Sequence, residues 1–340
     1  MPLFSLASVR IFFWIRLVVF LVIAGNLRLT IGDNTIRRRA DVPALARKDE
    51  NNNSDRCWIF THMPKSGGST VKKILNAWFG KENVLLYNSD AWKRGEKYAA
   101  RFERQGQEGS RPPWRLAVGG YAEVLRRHGG QRCTWFTLFR HPINRLVSAF
   151  YYCRKKPRDQ ACASAAMLAE DADLVDFARL WGSFGLRQYT LGRLDIDAVM
   201  RSARSADDRA RLPGWYLVKQ TLTSGGDDAD AAALRDALEP AKVLLRDEYT
   251  AVGILEEFNT TLHLFDSQLA MPGLDWWGSF VRHGVVNKNH RVGVSETAAA
   301  VEAAWRDDRI KYFLRLDIEL YEHAVLVFHD QASRAGLYPD

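Results

Sequence analysis

The segment from Cys57 to Trp78 constrains this chain more than any other. Cys57-Trp58-Ile59-Phe60-Thr61 is a short apolar and aromatic run, the pattern of a buried strand. His62-Met63-Pro64-Lys65-Ser66-Gly67-Gly68-Ser69-Thr70 follows as a turn rich in glycine and hydroxyls, after which Val71, Ile74, Leu75 and Trp78 recur at helical spacing. A strand that turns through small residues into a helix gathers backbone N–H groups and the positive helix end at one point, where an anion can be held. Gly67 and Gly68 permit close backbone approach, Ser66, Ser69 and Thr70 add hydroxyl donors, and Lys65 adds a mobile positive charge. A tight turn without a ligand is the alternative for this segment taken alone.

The position of the lysine narrows the chemistry. A Walker A loop ends in Gly-Lys-Ser/Thr, with the lysine at the helix start and a hydroxyl on magnesium. Here Lys65 precedes the glycines, which argues against a P-loop nucleotide kinase while keeping the same general fold. A second segment supports a nucleotide of another kind. Thr134-Trp135-Phe136-Thr137-Leu138-Phe139 reads as another buried strand, Arg140-His141-Pro142 ends it, and Ile143, Leu146, Val147 and Phe150 start a new helical stripe. Ligands of open α/β sheets bind at the carboxyl ends of the strands. Arg140 at such an end, with Ser148 about two turns into the helix, suits a second phosphate. One phosphate at each loop suggests a nucleotide phosphorylated at both its 5′ and 3′ positions.

These residues resemble a known family. Pro64-Lys65-Ser66-Gly67-Gly68-Ser69-Thr70 is similar to the 5′-phosphosulfate loop of Golgi carbohydrate sulfotransferases, and Leu138-Phe139-Arg140-His141-Pro142 through Arg145 and Ser148 is similar to their 3′-phosphate motif. The resemblance is greatest to the heparan sulfate and uronyl 2-O-sulfotransferase group. It extends to Ala251–Glu257 and to Asp317-Ile318-Glu319-Leu320-Tyr321, and is poor from Asn83 to Arg132. It implies an α/β, P-loop-like three-layer fold with a central, mostly parallel sheet flanked by helices. It also implies PAPS (3′-phosphoadenosine 5′-phosphosulfate) as co-substrate, held by Lys65 to Thr70, Arg140 and Ser148, with no metal required. Lys288 and Arg291, in Asn287-Lys288-Asn289-His290-Arg291, fall near a loop that closes over the nucleotide in that family, and are expected phosphate contacts.

Sulfuryl transfer relies on positioning and charge stabilisation. Lys65 is the expected stabiliser of the leaving oxygen, a role the resemblance supports. The acceptor hydroxyl must give up a proton, which calls for a general base. Related enzymes carry a histidine after a glycine at the place occupied here by Val118-Gly119-Gly120-Tyr121-Ala122-Glu123, which holds none. Glu123 and His128 are the nearest titratable candidates, and His62 reads as a packed strand-end residue. The absent histidine keeps open a catalytically inactive descendant that binds a nucleotide or a glycan.

The amino-terminal stretch from Leu3 to Ala24 is mostly apolar, interrupted by Arg10 and Arg16. A membrane-crossing helix needs roughly 20 apolar residues. The expected layout is a short cytoplasmic tail (1–9), a transmembrane signal-anchor (10–25), a polar stem (26–55) and a sulfotransferase domain (56–335), in a single-pass type II orientation in the Golgi membrane. A cleaved signal peptide with Leu17–Ala24 as its core is the rival, and it too leads into the secretory pathway. Asn52-Asn53-Ser54 and Asn259-Thr260-Thr261 are glycosylation sequons. Of the four cysteines, Cys153 and Cys162 bracket a basic loop and are the favoured disulfide. Cys57 and Cys133 each open an apolar run, as facing partners or as buried thiols. The formal charge of +8 favours a polyanionic partner, and with the resemblance the expected partner is a carbohydrate acceptor, an acidic polysaccharide rather than nucleic acid.

Overall fold

The computed structural model describes residues 56–80, 83–86, 115–120, 122–128, 133–156, 162, 171–190, 227–284 and 294–338. The expected tail, anchor and stem lie outside the described residues, as do Lys288 and Arg291. No helix among the described residues is long and apolar enough to cross a membrane.

Five strands, β1 (Trp58–Thr61), β2 (Val84–Leu86), β3 (Leu116–Gly119), β4 (Thr134–Phe139) and β5 (Ala251–Ile254), form one parallel sheet in the order β2-β3-β1-β4-β5. The helices are α1 (Gly68–Phe79), α2 (Pro142–Lys155), α3 (Leu174–Trp181), α4 (Phe184–Thr190), α5 (Asp227–Asp247), α6 (Phe258–Gln268), α7 (Trp276–His283), α8 (Val294–Arg306) and α9 (Asp308–Arg334), and a 3₁₀ segment spans Ala122–His128. The expected α/β architecture with a parallel sheet between helices is the one observed.

The central strand β1 is buried along its whole length, which is why it reads as a continuous apolar run rather than an alternating one. Its Trp58 and Phe60 point to one face, where Phe79 of α1 packs on Trp58 and Phe265 and Trp276 of α6 and α7 close edge-on over Phe136. The opposite face is more polar. Thr61 and Thr137 stand side by side there, Tyr189 of α4 stacks on Phe139, and α4, α5 and α9 pack on one another. After β1 the chain fills β2 and β3 on one side, then crosses to β4 and β5 on the other. The carboxyl ends of β1 and β4 are thus neighbours at the point where the strand order reverses, the usual location of a ligand crevice in such sheets.

Both disulfides support this frame. Cys57 and Cys133 face one another and are bonded, joining the chain just ahead of β1 and β4 with 4.7 Å between Cα atoms. Cys153 pairs with Cys162, the favoured pairing, inside a second apolar cluster built from α2, α3, α8 and the start of α9. The longer loop, a separation of 76 residues, restricts the unfolded chain most, by about 4 kcal/mol on chain-entropy grounds.

The last helix is capped by Asp307, whose carboxylate accepts from the Arg309 N–H at 2.9 Å. Ile310, Leu314, Leu320, Ala324 and Phe328 form its buried stripe, as the sequence period suggests. Asp317 on the same helix is buried with them and takes hydrogen bonds from Arg145 of α2 (2.7 Å) and from the Gly185 and Leu186 N–H groups of α4 (both 3.0 Å). One carboxylate therefore fixes the second loop's helix, the start of α4 and α9 against each other.

Candidate nucleotide-binding site

The first loop leaves β1 at Thr61 and enters α1 at Gly68. Two of its residues have left-handed backbone, Lys65 with φ 66° and Gly67 with φ 79°. At a non-glycine residue this conformation costs about 1 kcal/mol or more, and the coil is closed by the Ser66 N–H donating to the Met63 carbonyl at 3.4 Å and the Thr70 N–H donating to the Gly67 carbonyl at 2.9 Å. Gly67 is required twice over, because a Cβ there would also lie 2.6 Å from Leu255 Cδ1. A Cβ at Gly68 would overlap the ring of His62. The amino end of α1 has no side-chain cap and no acidic residue in its first turn, so its positive dipole end is uncompensated by carboxylate. The Ser66 hydroxyl is fully buried and has no hydrogen-bond partner. A buried polar group in that condition costs free energy until something bonds to it.

The second loop leaves β4 at Phe139. His141 caps α2 with its ring, Nδ1 accepting from the Ile143 N–H at 3.3 Å, and Pro142 occupies the first helical turn, where a missing N–H costs nothing. Glu256, just past β5, accepts from the His141 N–H at 3.0 Å and is touched by the Tyr321 hydroxyl at 3.2 Å. Trp305 of α8 stacks on the His141 ring at 4.2 Å.

The two loops meet at Lys65. Its carbonyl accepts from Arg140 Nη1 at 3.1 Å, and its ammonium stands 3.9 Å from the centre of the Tyr152 ring on α2. Ser148 is partly exposed on α2, four residues before Tyr152, which places it one helical turn away on the same side. The predicted residues Lys65, Arg140 and Ser148 are thus brought to one place, at the carboxyl edge of β1 and β4.

The local field is positive. Burial lowers the Arg140 guanidinium pKa and neighbouring Arg145 lowers it further, against the opposing pull of Glu256. Burial, together with the charges of Lys72 and Lys65, pushes the His62 imidazole down to about 3, so His62 is neutral at physiological pH. Burial also lowers the Lys72 ammonium. Lys72 lies one turn into α1 from Gly68, so three basic side chains border the first loop.

Of the two expected bases, Glu123 is fully enclosed. Its carboxylate accepts from Thr61 Oγ1 at 3.2 Å, from Arg126 Nε at 2.6 Å and from the Tyr249 hydroxyl. Burial raises its pKa, opposed chiefly by Arg126. It sits under the end of β1 as part of the polar packing of that face. His128 closes the 3₁₀ segment, and its side chain lies outside the described residues.

Sequence reasoning missed three contributors. Tyr152 carried a readable signal, since it follows Ser148 by one turn. Gln188 carried none: it is fully buried on α4, donates from Nε2 to the His62 carbonyl at 3.1 Å, and leaves its Oε1 without a partner. Glu256 bonds the backbone of the second loop from the turn that follows β5, distant in sequence.

The fold and these loops define a class: an α/β protein with two adjoining, basic, hydroxyl-bearing loops at the switch point of a parallel sheet. Neither a scan of protein-family models nor a search of curated proteins gives a match to this chain.

Proposed function

We propose that this protein is a PAPS-dependent carbohydrate O-sulfotransferase. The observation that carries the reading is the meeting of the two loops at Lys65, held through its carbonyl by Arg140 and through its ammonium by Tyr152, one turn from Ser148. A nucleotide with phosphates at both ends needs two anion sites within its own length. Separate clefts would not serve.

The residues present fit such a ligand. The unpartnered Ser66 hydroxyl and the uncapped start of α1 are suited to the 5′-phosphosulfate, and Arg140 and Ser148 to the 3′-phosphate. When bound, PAPS supplies the sulfuryl group and a bisphosphate leaving group. Overall, the sulfur–oxygen bond to the leaving group breaks as the acceptor hydroxyl oxygen bonds to sulfur, and the hydroxyl proton passes to a base. Lys65 stabilises the charge that grows on the leaving oxygen, worth about 10²–10³ in rate by analogy with oxyanion donors. Of the two expected bases, Glu123 is enclosed by Thr61, Tyr249 and Arg126, and His128 is the other candidate. The formal charge of +8 favours an acidic sugar chain as acceptor, and the expected Golgi location and membrane anchor belong to the same reading.

The test is transfer of labelled sulfate from PAPS to a panel of glycans and glycosaminoglycans. Label appearing in an acidic polysaccharide with wild-type protein, and not with Lys65→Ala, is the expected result. Absence of transfer to every acceptor, with the bisphosphate nucleotide still binding, would identify an inactive nucleotide-binding protein. A thermal shift with ATP and magnesium in place of adenosine 3′,5′-bisphosphate would favour a kinase.

A further inference from the structure

We infer that Asn259 is an N-glycosylation site, modified before the protein folds. The sequon Asn259-Thr260-Thr261 opens α6. Asn259 heads the solvent stripe of that helix, with exposed His263, Asp266 and Ser267 at four, seven and eight residues on, while Thr261, Leu262, Leu264 and Phe265 form the buried side. A sugar on Asn259 therefore extends into water and displaces nothing from the core. All four cysteines are in disulfides, the condition of a chain that matures in an oxidising compartment, which is also where N-glycans are attached. This inference does not depend on the proposed transferase activity.

The order of events follows from Thr261. Its hydroxyl is fully buried, donates to the Ile254 carbonyl and accepts from the Ile254 N–H, each at 2.9 Å. In the folded protein the sequon threonine is committed to closing β5 onto α6 and is unreachable by an enzyme. Attachment therefore occurs on the nascent chain. There the Asn259 side-chain nitrogen bonds to the anomeric carbon of a polyprenyl-diphosphate-linked oligosaccharide, the polyprenyl diphosphate leaves with the bonding pair, and the amide proton is released. The same threonine then turns inward as the helix docks.

The experiment expresses the full chain in a eukaryotic secretory host, releases glycans with peptide N-glycosidase in heavy-oxygen water, and reads the peptide containing Asn259 by mass spectrometry. The expected result is Asn259 converted to heavy-oxygen-labelled aspartate, loss of one glycan in Asn259→Gln, and an unchanged melting temperature for that variant after deglycosylation. Thr261→Val should lose both the glycan and stability, separating the two roles of the triplet. Recovery of Asn259 only as unmodified asparagine overturns the inference, both with closed disulfides (a translocated chain that was bypassed) and with open ones (a chain that was not translocated).

Discussion

Arg140 donates to the main-chain carbonyl of Lys65 across 3.1 Å, so the guanidinium at the end of β4 fixes the backbone of the loop at the end of β1. The contact spans 75 residues of sequence and joins the two segments expected to bind opposite ends of one nucleotide. It also explains how Lys65 is held in its left-handed conformation. Part of what Arg140 does is therefore structural.

Arg140→Ala should therefore weaken binding of adenosine 3′,5′-bisphosphate by about 10- to 100-fold, the loss of a charge-assisted hydrogen bond worth roughly 1.5–3 kcal/mol. Arg140→Lys should restore little of it, because an ammonium lacks the planar fork. Calorimetric titration of the three proteins checks this. Equal affinities would remove Arg140 from the site.

Gly68→Ala should destabilise the protein by about 1–3 kcal/mol, since the added methyl meets the His62 ring. Gly68→Ala combined with His62→Ala should cost less than the sum of the two single changes. Urea denaturation of the four proteins in this cycle measures the coupling. Simple additivity would show that the ring does not set the need for glycine.

Asp317→Asn should be among the most damaging single changes, at about 3–5 kcal/mol, because it leaves the buried Arg145 guanidinium without its counter-charge. It also weakens the two backbone bonds that begin α4. The midpoint of chemical unfolding reports the loss, and a shift below 1 kcal/mol would show that the pair is replaceable.

Acid should destabilise the protein through two histidines. Burial with nearby positive charge lowers His62 to about 3, and burial lowers His141 to about 4 against the pull of Glu256. Both lie below the unfolded value of about 6.5, so the unfolded chain binds more protons. Their contribution is complete above that value and is lost as pH falls through about 4 and then about 3. Imidazole NMR titration should find both rings neutral at pH 6. A ring at His62 titrating near 6.5 would contradict the packing described.

Much of this fold was legible because its central strands announce themselves. Trp58–Thr61 and Thr134–Phe139 are apolar without alternation, as strands buried on both faces must be, and the glycines and Pro142 mark where each stops. The residues brought together at Lys65 were legible for the same reason: Lys65, Arg140 and Ser148 stand at fixed offsets from strand ends. The Cys153–Cys162 pairing followed from closeness in sequence, whereas Cys57–Cys133 depended on which strands are neighbours, and sequence pattern does not determine strand order. The enclosure of Glu123 depends on Tyr249, more than a hundred residues away, and the Arg145–Asp317 pair on a helix near the carboxyl end. Such contacts are set by tertiary packing and leave no periodic trace in the sequence.

The most direct test of the shared site is a nucleotide cycle. Binding of adenosine 3′,5′-bisphosphate and of adenosine 5′-monophosphate is measured on wild-type protein and on Arg140→Ala. Wild-type protein should lose at least about tenfold in affinity when the 3′-phosphate is absent, and the Arg140→Ala protein should show little difference between the two ligands. A 3′-phosphate that contributes equally with and without Arg140, or contributes nothing to wild-type binding, would contradict a single nucleotide spanning both loops.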